Sequence, residues 1–180
     1  TDSYIHRGSF ISESLVEQEI TRATANFRNC GYYDFSKNDF AFVADTISFP
    51  GKVIFNYNVK TVPARFTFGD VTVTRPADMK FRESVIRDMI TITPGSLYND
   101  EDVNRTYSRL ASLRIFNSVT VRTQAADSLK VNCDISMTRS RLKGVRVNLE
   151  GSATTTGLFG ISPQMTFYNK NLFHGGEWFT

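Results

Sequence analysis

The stretch Thr93–Val121, TPGSLYNDEDVNRTYSRLASLRIFNSVTV, contains a full sequence of structural signals in 29 residues. Pro94 and Gly95 mark a turn. Asn99 offers a side-chain cap, and Asp100, Glu101 and Asp102 make an acidic first turn that suits the positive end of a helix. Val103, Tyr107, Leu110 and Ala111 recur at helical spacing as one apolar face. The chain then leaves through an aromatic step at Phe116 into Ser118–Thr123, where Val119 and Val121 alternate as in a strand. An EF-hand loop needs ligands at alternate positions around a central glycine, so this carboxylate run reads as a helix start and not as a cation site.

The same order of events occurs upstream, in GSFISESLVEQEITRATANFRNCGYYDF from Gly8. Leu15, Ile20, Ala23, Phe27 and Cys30 recur at helical spacing, and Gly31 stands where a helix C-terminus favours positive φ. Two strand-like segments follow each helix. In the first copy they are Phe40–Ile47 and Lys52–Val59, joined across Pro50-Gly51, with Val53, Phe55, Tyr57 and Val59 alternating with Ile54, Asn56 and Asn58. In the second they are Ser118–Thr123 and Leu129–Thr138, with Leu129, Val131, Cys133, Ile135 and Met137 on one face. A further strand, Phe68–Thr74, and a further helix from about Phe81 to Ile90 precede Gly95. The second unit therefore reads β-α-α-β-β, with helices on one face of a three-stranded sheet. The first unit has no room for an opening strand and helix before Gly8, so the chain is expected to begin partway through a repeated domain.

Composition limits the alternatives. Aromatics at 13% and many β-branched residues lean the chain toward sheet, within an ordinary 41% hydrophobic and 22% charged composition. A formal net charge of +3 is too small to imply a nucleic-acid partner. Cys30 and Cys133 stand far apart and read as two buried free thiols, with neither a disulfide framework nor a CxxC pair. No run approaches the roughly 18 apolar residues of a transmembrane helix, a test to which β-barrel strands are blind. There is no GxSxG elbow, P-loop, strand-borne GxGxxG or HExxH. His6 and His174 lack metal-ligand spacing to any Cys or His. No catalytic residue, cofactor or metal is expected, and the chain does not read as an enzyme.

ANFRNCGYYDF in the first unit and the Pro-Gly, helix and Leu-x-x-Leu-x-x-Phe step of Thr93–Val121 resemble POTRA domains, the periplasmic modules of BamA- and TamA-type outer-membrane assembly factors. After them comes LKGVRVNLEGSATTTGLFGISPQMTFYNKNLFHGGEWFT. Val145, Val147 and Leu149 alternate with Arg146, Asn148 and Glu150, and Ile161, Met165 and Phe167 with Ser162, Gln164 and Thr166. Leu142–Ala153 and Leu158–Tyr168 each have about the 9 to 11 residues of a tilted barrel strand. They are similar to the first two barrel strands of the same family, whose barrel has sixteen, whereas this chain stops at Thr180. The expected fold is α+β: a POTRA domain truncated at its N-terminus over 1–63, a complete one over 64–141, and over 142–180 two barrel strands and the turn into a third.

The resemblance implies a bacterial outer-membrane location with POTRA domains in the periplasm, and a role in outer-membrane protein insertion, assembly or translocation. Expected partners are unfolded outer-membrane proteins, accessory assembly or translocation proteins and outer-membrane lipid. Clients would dock by β-augmentation. The candidate docking edges are Ser118, Val119, Thr120, Val121 and Arg122 in the second unit, and Phe40 and Phe42 in the first. Val145, Arg146, Val147, Asn148 and Leu149 form the candidate templating edge of the first barrel strand. Arg139, Arg141, Lys143 and Arg146 form a basic cluster that reads as a lipid-headgroup site or as a solvated linker. In YNKNLFHGGE, Leu172 and Phe173 read as interface anchors and Gly175-Gly176 as a turn into the third strand. A soluble periplasmic adaptor and a two-partner secretion transporter are the alternatives, and NFRNCGYY leans toward the TamA-like branch.

Overall fold

The computed structural model describes residues 3–77, 82–126, 128–141, 143–153 and 159–169. The anchors and the turn expected at 172–176, with His174, lie outside these residues.

Helix α1 spans Glu13–Asn29. The Ser12 hydroxyl accepts the Leu15 amide at 3.3 Å, satisfying one of the N–H groups that a helix start leaves open. Cys30 caps the other end, and Gly31 turns the chain away at φ +95°. Leaving the helix there carries Cys30 off the apolar face, so its thiol is exposed while that of Cys133 is buried. The expectation of two buried thiols is corrected for Cys30.

Strands β1 (Phe40–Asp45) and β2 (Ile54–Val59) pair antiparallel, from Phe40 opposite Val59 to Asp45 opposite Ile54. They are shorter than the alternation of residues implied. The Asp45 carboxylate accepts the amides of Ile47 and Ser48 at 2.9 and 3.0 Å, which bends the chain out of the ladder. The expected turn is present: the Lys52 amide bonds to the Phe49 carbonyl at 3.1 Å around Gly51 at φ +72°. Ala23, Phe35 and Phe40 form the core between helix and hairpin, with Ile20, Phe27, Tyr32 and Val59 packed around them. The Phe27 and Phe35 rings stack at 4.2 Å between centroids.

Strand β3 (Thr67–Thr74), helices α2 (Glu83–Met89) and α3 (Asp100–Ser112), and strands β4 (Phe116–Ala126) and β5 (Lys130–Arg139) follow. The sheet order is β3-β5-β4, which puts the last strand in the middle. On β5, Val131, Cys133, Ile135 and Met137 are buried while Lys130, Asp134, Ser136 and Thr138 are exposed, the alternation of a sheet with one covered face. Leu129 leaves this pattern: it and Ser128 carry positive φ in the β4–β5 turn, which aims its side chain into solvent. The buried face of α3 also differs from the expected one. Thr106 and Leu110 are fully buried, whereas Tyr107 and Ala111 are exposed. The Thr106 hydroxyl receives the Thr91 amide at 3.0 Å, so a polar residue displaces Tyr107 from the inward stripe because it answers a half-buried backbone donor.

Strands β6 (Lys143–Ala153) and β7 (Phe159–Asn169) form a separate antiparallel pair of 11 residues each. By internal contacts the chain divides into two compact units. One holds Thr1–Val71, Ile92–Asn104 and Thr123–Cys133, the other Thr72–Thr91, Arg105–Arg122 and Asp134–Thr180.

Candidate functional site

An edge strand can receive a partner only through backbone groups that its own sheet leaves unpaired. β4 has β5 on one side and, among the described residues, no strand on the other. The Ser118 amide points toward β5, where it donates to the Thr138 hydroxyl at 3.0 Å, and the two hydroxyls meet at 2.7 Å. Backbone groups alternate sides along a strand, so Ser118, Thr120 and Arg122 direct theirs to β5. Val119 and Val121 turn theirs to the open edge. The candidate edge Ser118–Arg122 therefore divides into inner and outer residues, a distinction that side-chain alternation alone does not reveal.

In the first unit the two candidate residues separate. The Phe40 ring is buried in the core, 5.3 Å from the Phe35 ring and perpendicular to it, so only its backbone belongs to the edge. Phe42 stays partly exposed and stacks on Phe55 at 5.9 Å. Among the described residues neither β1 nor β2 has a second strand neighbour. In the β3-β5-β4 sheet, the strand equivalent to β2 has its outer side filled by β3.

The β6–β7 register sorts side chains cleanly. One face carries Val145 opposite Phe167, Val147 opposite Met165, Leu149 opposite Pro163 and Gly151 opposite Ile161. The other carries Arg146 opposite Thr166, Asn148 opposite Gln164 and Glu150 opposite Ser162. Val145, Val147, Leu149, Ile161, Met165 and Phe167 are all more than half exposed. The hairpin thus presents an uncovered apolar stripe backed by a polar one. The same alternation separates two members of the basic cluster, since Lys143 and Arg146, three residues apart, project to opposite faces of β6. Arg141, Lys143 and Arg146 are exposed. The Arg139 side chain lies outside the description.

Two polar arrangements were not foreseen from the sequence. Glu19 is buried on the inner face of α1. Its carboxylate accepts the Arg22 Nε–H at 2.9 Å and the Tyr4 amide at 2.8 Å, and the Tyr57 hydroxyl donates to it at 3.3 Å. The Arg22 hydrogen bond, against the opposing effect of burial, holds its pKa at about 2. Its position four residues from both Leu15 and Ala23 was the available signal.

The second arrangement centres on Arg28, whose guanidinium donates to the Tyr33 carbonyl at 2.9 Å, the Tyr98 hydroxyl at 3.3 Å and the Asp100 carboxylate at 3.0 Å. The Tyr98 hydroxyl donates to Asp100 at 2.6 Å. Burial raises the Asp100 carboxyl, but the Arg28 and Tyr98 hydrogen bonds outweigh it and leave the group below its ordinary range. Burial, joined by the bond to Asp100, pushes the Tyr98 hydroxyl up. All these groups belong to the first compact unit. Two of the acidic residues at the start of α3 therefore have further partners: Asp100 takes an arginine, and the Glu101 amide donates to Asn29 Oδ1 at 3.0 Å.

Among the described residues no group of three His, Cys, Asp or Glu is placed to hold a metal ion, and no helix is long and apolar enough to cross a membrane.

Residues 66–138 match the POTRA family model, described as a surface antigen variable number repeat. Among solved structures the chain is similar to BamA from Haemophilus ducreyi lacking POTRA domains 1-3, with 13% identity and a TM-score of 0.69 over 94% of this chain and 30% of that one. It is also similar to POTRA3-5 of Haemophilus influenzae BamA, with 16% identity and a TM-score of 0.55 over 76% of this chain and 52% of that one. At these identities the likeness is one of fold, and the chain spans less than two thirds of either structure. No curated protein matches it.

Proposed function

Residues 66–138 match the POTRA family model, and from that match we propose that they form a POTRA domain and that the chain is part of a bacterial outer-membrane protein that inserts, assembles or translocates other proteins. The POTRA portion stands in the periplasm, and β6 and β7 are the first strands of a transmembrane barrel. The observation that carries this reading is the two-faced hairpin. Its strands have the length that a tilted strand needs to cross the hydrocarbon layer, about 9 to 11 residues. Its apolar stripe matches a lipid-facing surface and its polar stripe a lumen. A soluble adaptor would leave that stripe uncovered in water. Unfolded outer-membrane proteins and accessory proteins dock along the open edge of β4, where backbone hydrogen bonds give affinity to many sequences that share one backbone geometry. The outer edge of β6 from Val145 to Leu149 templates incoming strands, and no bond-making chemistry is required.

The test uses the protein carrying this chain, with Cys30→Ser, reconstituted in phosphatidylcholine vesicles. A polarity-sensitive fluorophore is attached to single cysteines replacing Val147, Asn148, Leu149 or Glu150. Emission is expected to shift to the blue at Val147 and Leu149 alone. Water-like emission at all four positions sinks the membrane reading. Consistent with it, Val147→Arg should cost about 2–4 kcal/mol of insertion free energy, the range for a cation on a lipid face near mid-bilayer.

A further inference from the structure

The open edge of β4 has a closed end. Because Ser118 faces β5, the backbone of Thr123, five residues on, faces outward. Its carbonyl is not free, since the Tyr33 hydroxyl donates to it at 3.1 Å and also lies 3.4 Å from the Thr123 hydroxyl. Tyr33 and Thr123 both belong to the first compact unit.

Tyr33 is held from several directions. Its ring lies edge-on to Tyr98 at 5.0 Å and tilted against Phe66 at 5.6 Å. Its carbonyl accepts Arg28 at 2.9 Å, and the Arg28 guanidinium lies 5.7 Å from the ring centroid. Two residues earlier, the Gly31 carbonyl takes the Phe66 amide at 2.8 Å. A hydroxyl fixed in this way is a built feature, whereas a solvent-facing tyrosine would rotate off the edge at little cost.

Resting on the reading that β4 receives extended polypeptide, we infer that Tyr33 is the stop that sets where an incoming strand ends. Val119 and Val121 offer outward amides and carbonyls to the partner, and the Tyr33 hydroxyl occupies the acceptor that would continue the ladder at Thr123. The side chains also define the occupant. Val119, Val121 and Thr123 are half-buried on one face of β4, while on the other Ser118 and Arg122 are exposed and Thr120 is half-buried. A matching strand alternates apolar and polar residues, the pattern that β6 itself displays. Tyr33 thereby limits the docked segment to a short length and fixes its register, because a one-residue slip would turn its apolar residues to the wrong face.

The experiment measures binding of fluorescein-labelled peptides to the full chain in mild detergent. The peptides carry the first five, seven, nine or eleven residues of KGVRVNLEGSA, an alternating sequence taken from Lys143–Ala153. With Tyr33 present, affinity should rise with peptide length and then level off. In Tyr33→Phe, which keeps the ring and loses only the hydroxyl, the plateau should move about two residues further, with about fivefold tighter binding, the equivalent of one net hydrogen bond of about 1 kcal/mol. Unchanged amide exchange at Phe66 verifies that the surrounding contacts persist. If the peptides bind and protect the Val119 and Val121 amides, but Tyr33→Phe shows the same plateau, Tyr33 merely satisfies a carbonyl and the inference is overturned. If no peptide binds and neither amide is protected, the β4 docking reading itself fails and takes the inference with it.

Discussion

Glu19 is a carboxylate buried in the first repeat, and its removal gives the sharpest test of how that repeat is held together. Its pKa is lowered from 4.5 to about 2. A shift of this size corresponds to about 3 kcal/mol, at ~1.36 kcal/mol per unit. The folded-state pKa is depressed, so this stability is fully present above about pH 4.5 and is lost as pH falls toward 2. Glu19→Gln removes the titration and the buried carboxylate charge that accepts from Arg22, Tyr4 and Tyr57, so the variant should be less stable at pH 7 by about 3 kcal/mol. The assay is urea unfolding of wild type and variant in mild detergent at pH 7, 5, 3.5 and 2.5, read from the α1 amide resonances. Between pH 5 and 2.5 the wild type should lose about 2–3 kcal/mol more than the variant. Other carboxylates titrate in both proteins, and taking the difference removes them. Parallel acid profiles would show that Glu19 contributes through packing alone and would refute the electrostatic argument.

Two further outcomes follow from packing. Leu110 is fully buried, so Leu110→Ala should destabilise the region built on the β3-β5-β4 sheet by about 2–5 kcal/mol, measured as a lower urea midpoint at an unchanged m-value. At Gly144 a Cβ would run into the Tyr168 ring from the facing strand, so Gly144→Val should disorder the start of the β6–β7 hairpin. Amide exchange at Val145 should rise in that variant while exchange at Cys133 is unaffected.

Much of the architecture was legible from local pattern. Pro50-Gly51, the Asn99 cap, the odd-numbered run from Val131 to Met137 and the alternation from Val145 to Leu149 each report a backbone period or a required φ, which neighbouring residues alone determine. The departures arose where a non-local backbone group or the turn that ends an element outbid the apolar spacing. Tyr107 has the spacing of a core residue, yet Thr106 is buried because the Thr91 amide needs an acceptor. Cys30 has helical spacing, but the helix ends one residue before it. The docking edge was legible as a strand and not as a directional object. Which of its residues face outward depends on pairing register, and register is a relation between two strands.

The sequence by itself determined the order of elements and the two-faced character of Lys143–Asn169, because these follow from the spacing of apolar residues along one chain. Only the tertiary structure decided that Glu19 is buried against Arg22, that Arg28 reaches Asp100, and that Tyr33 closes the edge of β4 at Thr123. Those contacts join residues 3, 72 and 90 positions apart. The first lies within local reach but depends on a distant surface to cover it. The other two exist because folding brings an arginine and a hydroxyl to acceptors that nothing in their own segments specifies.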